Sequence, residues 1–516
     1  MKYLLLLASL GALLLYRLLS SIRRRPLPLP PGPKGLPLIG NLWDVPAEYP
    51  WLTYSQWAAT YGDVFYLDTP GNPTVVINSA QAAADLFEKR SGNYSDRPDF
   101  TVLNLAGWGG FVTFMRYSNW WRKHRRMLHE YFQLRTVPAY YPIQMKTTSV
   151  LLQQLLKSPD GIFHHVRHHA GSIIMKTVYG YDVNPNGDQF VGLVDRALES
   201  VRIIGNVGSF LVDYIPSLKY LPRWFPGTKF MSLADAWRKD IEAMQEEPFI
   251  YTSDSLNNGT ATSSLVSVNL AKMKNVSVSE KKTHLEVIRN TASVAFAAGA
   301  DTAVSTILSV ILAFLLYPEV QVKAQAELDA VVGHTRLPNF DDRAQLPYIN
   351  AVVLEALRWN PAFPMGVAHR CVKEDVYRDY HIPAGTTVIG NVWLPIDARY
   401  TRAILHDGKD YPNPLVFDPN RFMPEDGKEP QPEPTAAFGF GRRICPGRHL
   451  ALNTVWIAIA SMAATLSFSK AMDSEGRVIE PSDAYTDGFV SFPTPFKCTI
   501  KARSAQAKAL IDLAEL

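Results

Sequence analysis

Cysteine is scarce in this chain: its 516 residues include three, Cys371, Cys445 and Cys498. Their wide spacing excludes a disulfide scaffold, and the lack of a Cys-x-x-Cys pair excludes the common zinc-binding pattern. Cys371 and Cys498 stand in apolar, strand-like stretches, which predicts that both are core residues. Cys445 has a different context and is treated below.

The chain also has little net charge. Its formal net charge is +4, which is too small for this length to indicate a nucleic-acid partner. There is no internal repeat and no long linker, although the length alone would suggest roughly two to four domains. Hydrophobic residues make up 47% of the chain, enough for a large core. We therefore predict one large folded unit.

The N-terminus carries an apolar run that is followed by cations. Residues 3–16 are apolar except for one serine, Arg17 interrupts, and three arginines follow residue 22. With Arg17 reaching to the interface, the run is long enough to span a bilayer. The alternative is a cleaved signal peptide, but the cations follow the apolar run and no small-residue cleavage site separates them. We predict three segments: a transmembrane anchor at 1–22, a basic, proline-rich hinge at 23–40, and a cytosolic domain at 41–516.

Hydrophobic periodicity predicts a mainly α fold with a small β portion. Strands are predicted at 64–67 and 74–77, hairpins from residue 465 onward, and a polar loop at 252–264. Helices are predicted at 81–90, 118–132, 140–157, 162–179, 188–206, 229–247, 279–316, 318–332 and 347–358.

The segment from Phe438 to Gly447 (Phe-Gly-Phe-Gly-Arg-Arg-Ile-Cys-Pro-Gly) places Cys445 on a glycine-rich turn before a helical pattern. A cysteine beside arginines at a helix N-terminus is expected to have a lowered pKa and to be present as thiolate. The glycines allow a tight turn and a close approach to a flat ligand. The alternative is a buried structural cysteine.

These residues resemble the haem-binding signature of the cytochrome P450 monooxygenases: Phe438-x-x-Gly441-x-Arg443-x-Cys445-x-Gly447. The resemblance implies a single haem-thiolate domain that binds haem b, with Cys445 as the ligand of the iron. A thiolate ligand donates electron density to the iron and favours O–O cleavage.

Asp301 and Thr302 follow Ala298-Gly299-Ala300 in the middle of the longest predicted helix. Glycine in a helix costs about 1 kcal/mol of stability relative to alanine, and burying an unpaired carboxylate also lowers stability. The presence of both residues in this apolar helix therefore requires an explanation. One explanation is that Gly299 allows close helix packing, with the Thr302 hydroxyl hydrogen-bonded within its own helix. The resemblance implies another, in which Thr302 presents a hydroxyl to bound oxygen and Asp301 relays protons.

Glu355 and Arg358 are three residues apart on one predicted helix, a pair that is often a solvated surface feature. The resemblance adds Arg421, from Phe417-Asp418-Pro419-Asn420-Arg421-Phe422, and implies a buried structural triad behind the cysteine loop.

A basic run, Trp121-Arg122-Lys123-His124-Arg125-Arg126, is by itself consistent with a solvated basic face. By resemblance, the cofactor-binding residues comprise Cys445, Trp121, Arg125, His369, Arg443 and Phe438, with the cations among them suited to the haem propionates. Arg122, Lys123 and Arg126 would form part of a docking face for an acidic reductase.

The resemblance implies that one atom of O2 is inserted into an apolar small molecule, such as a terpenoid or another secondary-metabolite intermediate. Electrons would come from NADPH through NADPH-cytochrome P450 reductase at the endoplasmic reticulum membrane, with membrane lipid around the anchor. Val294, Ala298 and Phe489 are expected to line the substrate pocket. The alternatives are a reductase-independent haem-thiolate isomerase or dehydratase and a non-catalytic protein that binds haem or interacts with a membrane.

One stretch departs from the family pattern. Residues 394–402 separate two segments that are nearly continuous in relatives. They are either an inserted surface loop or a splicing error in the gene model.

Overall fold

The computed structural model describes residues 27–185, 187–206, 208–273, 276–393, 403–425 and 427–513. The predicted anchor at 1–22 and the departure at 394–402 lie outside these residues.

Helices form most of the described chain. The α-helices of six or more residues are α1 Pro50–Tyr61, α2 Thr101–Ala106, α3 Asn119–Phe132, α4 Tyr141–Lys157, α5 Ile162–Tyr179, α6 Gln189–Ile204, α7 Lys229–Asn257, α8 Leu265–Lys272, α9 Val278–Leu316, α10 Pro318–Val331, α11 Pro347–Trp359, α12 Arg448–Thr465 and α13 Ala505–Leu513. A π-helix, Ala84–Lys89, extends the single turn Ala80–Ala83, and further single turns lie at Ser91–Tyr94 and Leu211–Tyr214.

The strands are short. They are β1 Val64–Leu67, β2 Thr74–Ile77, β3 His369–Arg370, β4 Asp375–Tyr377, β5 Tyr380–Ile382, β6 Thr387–Gly390, β7 Leu466–Lys470 and β8 Cys498–Ala502. The largest sheet has the order β1-β2-β6-β3, with β2 and β6 parallel and the other pairs antiparallel. Strands β4–β5 and β7–β8 form separate antiparallel pairs.

Helix α9 is the central element of the core. It is long and apolar enough to cross a membrane, but 83% of its most apolar window is buried in the protein. Helices α3, α5, α7 and α12 all pack against it. The apolar length of α9 is therefore explained by its place inside the helical layer, and the mainly α fold with small sheets is as predicted.

Most predicted helices agree with the structure to within one or two residues, but α7 does not. It continues through Pro248 to Asn257, so the predicted loop at 252–264 is wrong in its first part. Met244, Pro248 and Thr252 are buried at four-residue spacing, and the Thr252 hydroxyl donates to the Pro248 carbonyl at 3.0 Å. Burial of this face outweighs the roughly 3 kcal/mol that an interior proline costs.

One further expectation needs correction. Cys371 is buried, but Cys498 is only half-buried, because it starts β8 in the two-stranded β7–β8 pair. The described part of the predicted hinge also packs on the domain, since His381 N–H donates to Pro28 O at 2.7 Å and Tyr66 N–H donates to Pro31 O at 2.8 Å. Proline lacks an N–H donor but keeps its carbonyl acceptor, so this segment can still pair with the domain.

Candidate active site

A cavity of about 260 Å³ lies between α9 and the loop that carries Cys445. Its wall is mainly apolar and comes from α3, α5, α9, α11, α12, the segment 362–367 and the loop 436–447. Val294, Ala298 and Thr302 line it from α9, and Cys445 and Phe438 line it from the loop. The structure thus brings together residues that are more than 130 positions apart in the chain.

Backbone geometry fixes the cysteine loop. Gly441 has φ 49°, and a Cβ there would lie 2.2 Å from the carbonyl oxygen of Phe87 in the π-helix. Only glycine allows this conformation and this approach together. The Cys445 N–H donates to Phe438 O at 2.8 Å, which closes the loop just before α12 begins at Arg448.

The predicted lowering of the Cys445 pKa is wrong for the protein alone. Burial raises the pKa of this thiol, and the backbone N–H groups of Gly447 and Arg448 with the Arg125 charge only partly oppose it. The helix N-terminus and the nearby arginines favour the thiolate, but Cys445 lies deep in the protein, and desolvation disfavours a thiolate.

Two buried arginines are held by backbone carbonyls at the cavity. Arg443 donates to Ser95 O at 2.7 Å and Met115 O at 2.8 Å, and Arg97 donates to Val367 O and Ala368 O, both at 2.7 Å. Burial lowers the pKa of Arg443 to about 10 and lowers that of Arg97 in the same direction, with mutual repulsion contributing to Arg97. Backbone carbonyls hold both guanidinium groups in place, but no carboxylate of the described residues lines the cavity to balance their charge.

Three more predicted residues join this group. His369 Nδ1 lies 2.7 Å from Tyr94 O, and burial beside Arg97 holds its pKa well below the usual value. Arg125 lines the cavity and makes no hydrogen bond to the described residues. Trp121 donates from Nε1 to Val112 O at 3.1 Å, and the Arg443 guanidinium lies 4.4 Å from its ring centroid.

This donor set suits haem. Arg97, Arg125, His369 and Arg443 line the cavity, and no carboxylate of the described chain lines it beside them. Carboxylates such as the two propionates would supply the missing negative charge. The wall is otherwise apolar, as a porphyrin face requires, and the Cys445 sulfur is available as a single ligand. The described residues contain no cluster of three or more side chains that could hold a metal ion on its own.

Gly299 is explained by helix packing. A Cβ there would lie 2.7 Å from Cγ1 of Ile174 on α5, so the two helices could not pack this closely with a larger residue. The packing interpretation of the sequence therefore applies, and Gly299 lines the cavity as well. Thr302 donates from Oγ1 to Ala298 O at 2.9 Å, which leaves its oxygen lone pairs to accept a hydrogen bond.

Asp301 is buried and paired. Arg202 of α6 donates from Nη2 to both carboxylate oxygens, at 3.0 and 3.3 Å. Burial raises the pKa of Asp301, and Arg202 is the largest opposing influence. Unlike Thr302, Asp301 is not part of the cavity wall.

Glu355 joins Arg358 and Arg421 in a buried cluster. Arg358 donates from Nε and Nη2 at 2.7 and 2.8 Å, and Arg421 donates from Nε at 3.0 Å. Glu355 and Arg358 are fully buried and the Arg421 side chain is 3% exposed. The solvated-pair alternative is therefore excluded by the geometry.

Phe489 lies outside the cavity wall. Its ring packs 5.1 Å from that of Phe363, which does line the cavity, and 5.8 Å from that of Phe114. Phe489 therefore supports the wall from behind.

Arg97 and Arg202 carried no functional prediction from the sequence. Arg97 donates to Thr113 O, 16 residues away, and to two carbonyls that are 270 and 271 residues away. Arg202 donates to Asp301, 99 residues away. No local spacing connects such residues. The one indication in the sequence was that a buried Asp301 requires a cationic partner. The sequence did not show that this partner is Arg202.

Comparison with known proteins gives a consistent result. A cytochrome P450 family profile matches residues 30–500. A cytochrome P450 monooxygenase of Armillaria gallica is 42% identical over 95% of this chain and 94% of its own length. Cytochrome P450 monooxygenase 208 of Postia placenta is 40% identical over 94% and 92% of the two chains. The tryptamine 4-monooxygenase of Psilocybe cyanescens is 38% identical over 93% and 94%. Together with the geometry of the cysteine loop, these matches show that the chain belongs to the cytochrome P450 family and is a monooxygenase.

Proposed function

We propose that this monooxygenase inserts one atom of O2 into an apolar small molecule, a terpenoid or another secondary-metabolite intermediate, with electrons from NADPH through NADPH-cytochrome P450 reductase. The observation that carries the proposal is the mainly apolar wall that faces both the Cys445 sulfur and the small residues of α9. An apolar wall favours substrates whose desolvation costs little.

Haem b bound through Cys445 would supply the activation of O2 that the side chains themselves cannot perform. Arg97, Arg125, His369 and Arg443 would hold its propionates, and Trp121 and Phe438 would pack beside it. The cluster of Glu355, Arg358 and Arg421 would keep the region behind the cysteine loop rigid, without contact to the substrate.

Thr302 and Asp301 would deliver protons to the reacting centre. The Thr302 hydroxyl faces the cavity while it donates to Ala298 O, so it can accept a hydrogen bond from water or from a protonated group there. Asp301 is held away from the wall by Arg202. Proton transfer from Asp301 would therefore require the ion pair to loosen.

The exposed cations of α3 would form the reductase docking face. Arg122, Lys123 and Arg126 are all exposed, and Arg122 and Arg442 both lie over the ring of Tyr117 near the cysteine loop. Opposite charges on the two partners raise the association rate and make it sensitive to salt. Lys123→Glu should raise the reductase concentration that gives half-maximal turnover, whereas Lys501→Glu, at an exposed lysine of β8, should not.

Residues 1–22 would anchor the enzyme in the endoplasmic reticulum membrane as a single pass with the catalytic domain in the cytosol. The support for this placement is the order of the apolar run and the arginines. Deletion of residues 1–22 should move the protein from the membrane fraction to the soluble fraction of an expressing cell, and unchanged fractionation would contradict the proposal.

The decisive experiment combines haem-loaded protein, reductase and NADPH with candidate apolar scaffolds, and measures O2 consumption and product mass. A product heavier by one oxygen atom, formed only with reductase, supports the proposal. Conversion without reductase and without O2 would favour the isomerase or dehydratase. Thr302→Val should lower product formed per NADPH, and Thr306→Val, one turn further along the same wall, is the matched control.

A further inference from the structure

Apart from the Cys445 thiol, the ionisable side chains of the cavity wall are all basic among the described residues. They are Arg97, Arg125, His369 and Arg443, and every other lining residue is apolar, glycine, cysteine or threonine. Two propionates and a Cys445 thiolate would balance these three arginines and leave no excess negative charge for a cationic ligand. A positive charge in the cavity would therefore find no counter-ion among the described residues of the wall.

The carboxylate next to the wall is already engaged. Asp301 precedes the lining residue Thr302, but its two oxygens both accept from Arg202 Nη2. Arg202 in turn pairs with Glu199 at 3.2 Å and lies 5.3 Å from the ring centroid of Phe492. Turning Asp301 toward the cavity would leave the partly buried Arg202 without its strongest partner.

A second buried carboxylate, Asp213, is also committed. It accepts from the backbone N–H of Thr101 at 3.1 Å and from that of Phe210 at 3.4 Å, and it is not part of the cavity wall. Moving Asp213 would leave the N-terminus of α2 without this acceptor. A cationic group in the cavity would thus find no partner among the described side chains.

From this arrangement we infer that the substrate is uncharged and that cationic amines are excluded from the cavity. The inference rests on the proposed function, since it concerns the substrate of that same site. Burying a charge without a partner costs several kcal/mol. A neutral hydroxyl group is compatible with the wall, because the Thr302 oxygen, which donates its proton to Ala298 O, can still accept a hydrogen bond.

One relative is named tryptamine 4-monooxygenase. Tryptamine carries an alkyl amine, which is protonated at neutral pH. Among the described residues of this chain, no carboxylate lines the cavity to pair with such an amine.

The test compares isosteric ligands on the haem-loaded protein. One pair is N,N,N-trimethyltryptammonium and its tert-butyl carbon isostere, and a second pair carries the same two groups on a geranyl chain. A quaternary ammonium neither loses a proton nor binds iron through nitrogen. Calorimetry should give at least about 100-fold tighter binding for the neutral member, as expected for an unpaired buried charge. A cation that binds within tenfold of its isostere in either pair would overturn the inference, and so would neutral members that do not bind.

A designed carboxylate provides a second measurement. Val294→Asp places an acid on the α9 wall and should shift the ratio of the two affinities toward the cation by at least about tenfold. Val294→Asn has the same size without the charge and should leave the ratio near its original value. A shift of the same size in both variants would contradict the electrostatic argument, and if neither variant folds, the wild-type comparison still decides.

The two proposals can fail separately. Loss of the Soret band of a sulfur-ligated carbon monoxide complex would refute the haem-thiolate site itself. A protein with that band that binds the trimethylammonium probes as tightly as their isosteres would refute only the inference about charge.

Discussion

Replacing Glu355 with glutamine tests the buried cluster most directly. The carboxylate accepts from Arg358 Nε and Nη2, from Arg421 Nε and from Asp418 N–H, at 2.7 to 3.0 Å. Glutamine keeps the shape but removes the negative charge, so two guanidinium groups remain buried without a counter-ion. The amide NH2 of the glutamine would also replace one of the two carboxylate oxygens, both of which accept from arginine, so its N–H donors would face arginine donors.

The expected magnitude follows from this geometry. Removing one partner of a buried ion pair costs about 3–5 kcal/mol, because the other charge stays desolvated. We expect Glu355→Gln to lower the free energy of unfolding by about that amount. Arg358 also donates to Pro414 O at 2.7 Å, which holds its guanidinium in the core and limits its escape to solvent.

Urea unfolding of the haem-loaded protein, followed by tryptophan fluorescence and by haem absorbance, measures the effect. The midpoint should fall while the slope stays unchanged. Glu425→Gln is the matched control, since Glu425 and Lys428 have the same three-residue spacing but side chains about 70% exposed, and it should change the free energy of unfolding by less than about 1 kcal/mol. The reasoning is refuted if the two variants lose stability equally.

Three further changes test other parts of the structure. Cys445→Ser should abolish the Soret band of the sulfur-ligated carbon monoxide complex, whereas Cys498→Ser, at a half-buried cysteine of β8, should preserve it. Gly299→Ala should cost about 1–3 kcal/mol of unfolding free energy because its Cβ would lie 2.7 Å from Ile174, and a second change, Ile174→Val, should recover part of the loss in thermal unfolding. Burial raises the pKa of Asp213 from 3.8 to about 6; the folded state therefore holds its proton more tightly, and stability attributable to this group falls as pH rises from about 4 to 6. Asp213→Asn should remove about 3 kcal/mol of that pH dependence in the difference from wild type, and parallel stability–pH curves would contradict the assignment.

The sequence was informative where the relevant signal is local. Helices α5 and α9 were predicted to within a residue because burial on one face or all round leaves a clear apolar pattern. The Cys445 loop was recognisable because its glycines and arginines stand at fixed offsets. Prediction failed at Pro248, where a local rule for ending a helix was outweighed by the burial of α7.

The rest depended on distant contacts. Arg97 donates to the carbonyls of Thr113 and Ala368. Arg202 of α6 donates to Asp301 of α9. The pKa of Cys445 was predicted in the wrong direction because its neighbours in sequence favour the thiolate, whereas its depth in the folded protein disfavours it. Burial is a property of the whole fold, and no stretch of ten residues contains it.

The carbonyl-anchored arginines also bear on how the protein must be produced. Arg97 and Arg443 are locked by the backbone, so their repulsion persists until an anionic group arrives. Cofactor capture then contributes to folding stability by mass action. The yield of expressed protein should consequently rise with the supply of porphyrin in the host cell. When chains are made faster than porphyrin is supplied, the chains left without porphyrin should be degraded by proteases.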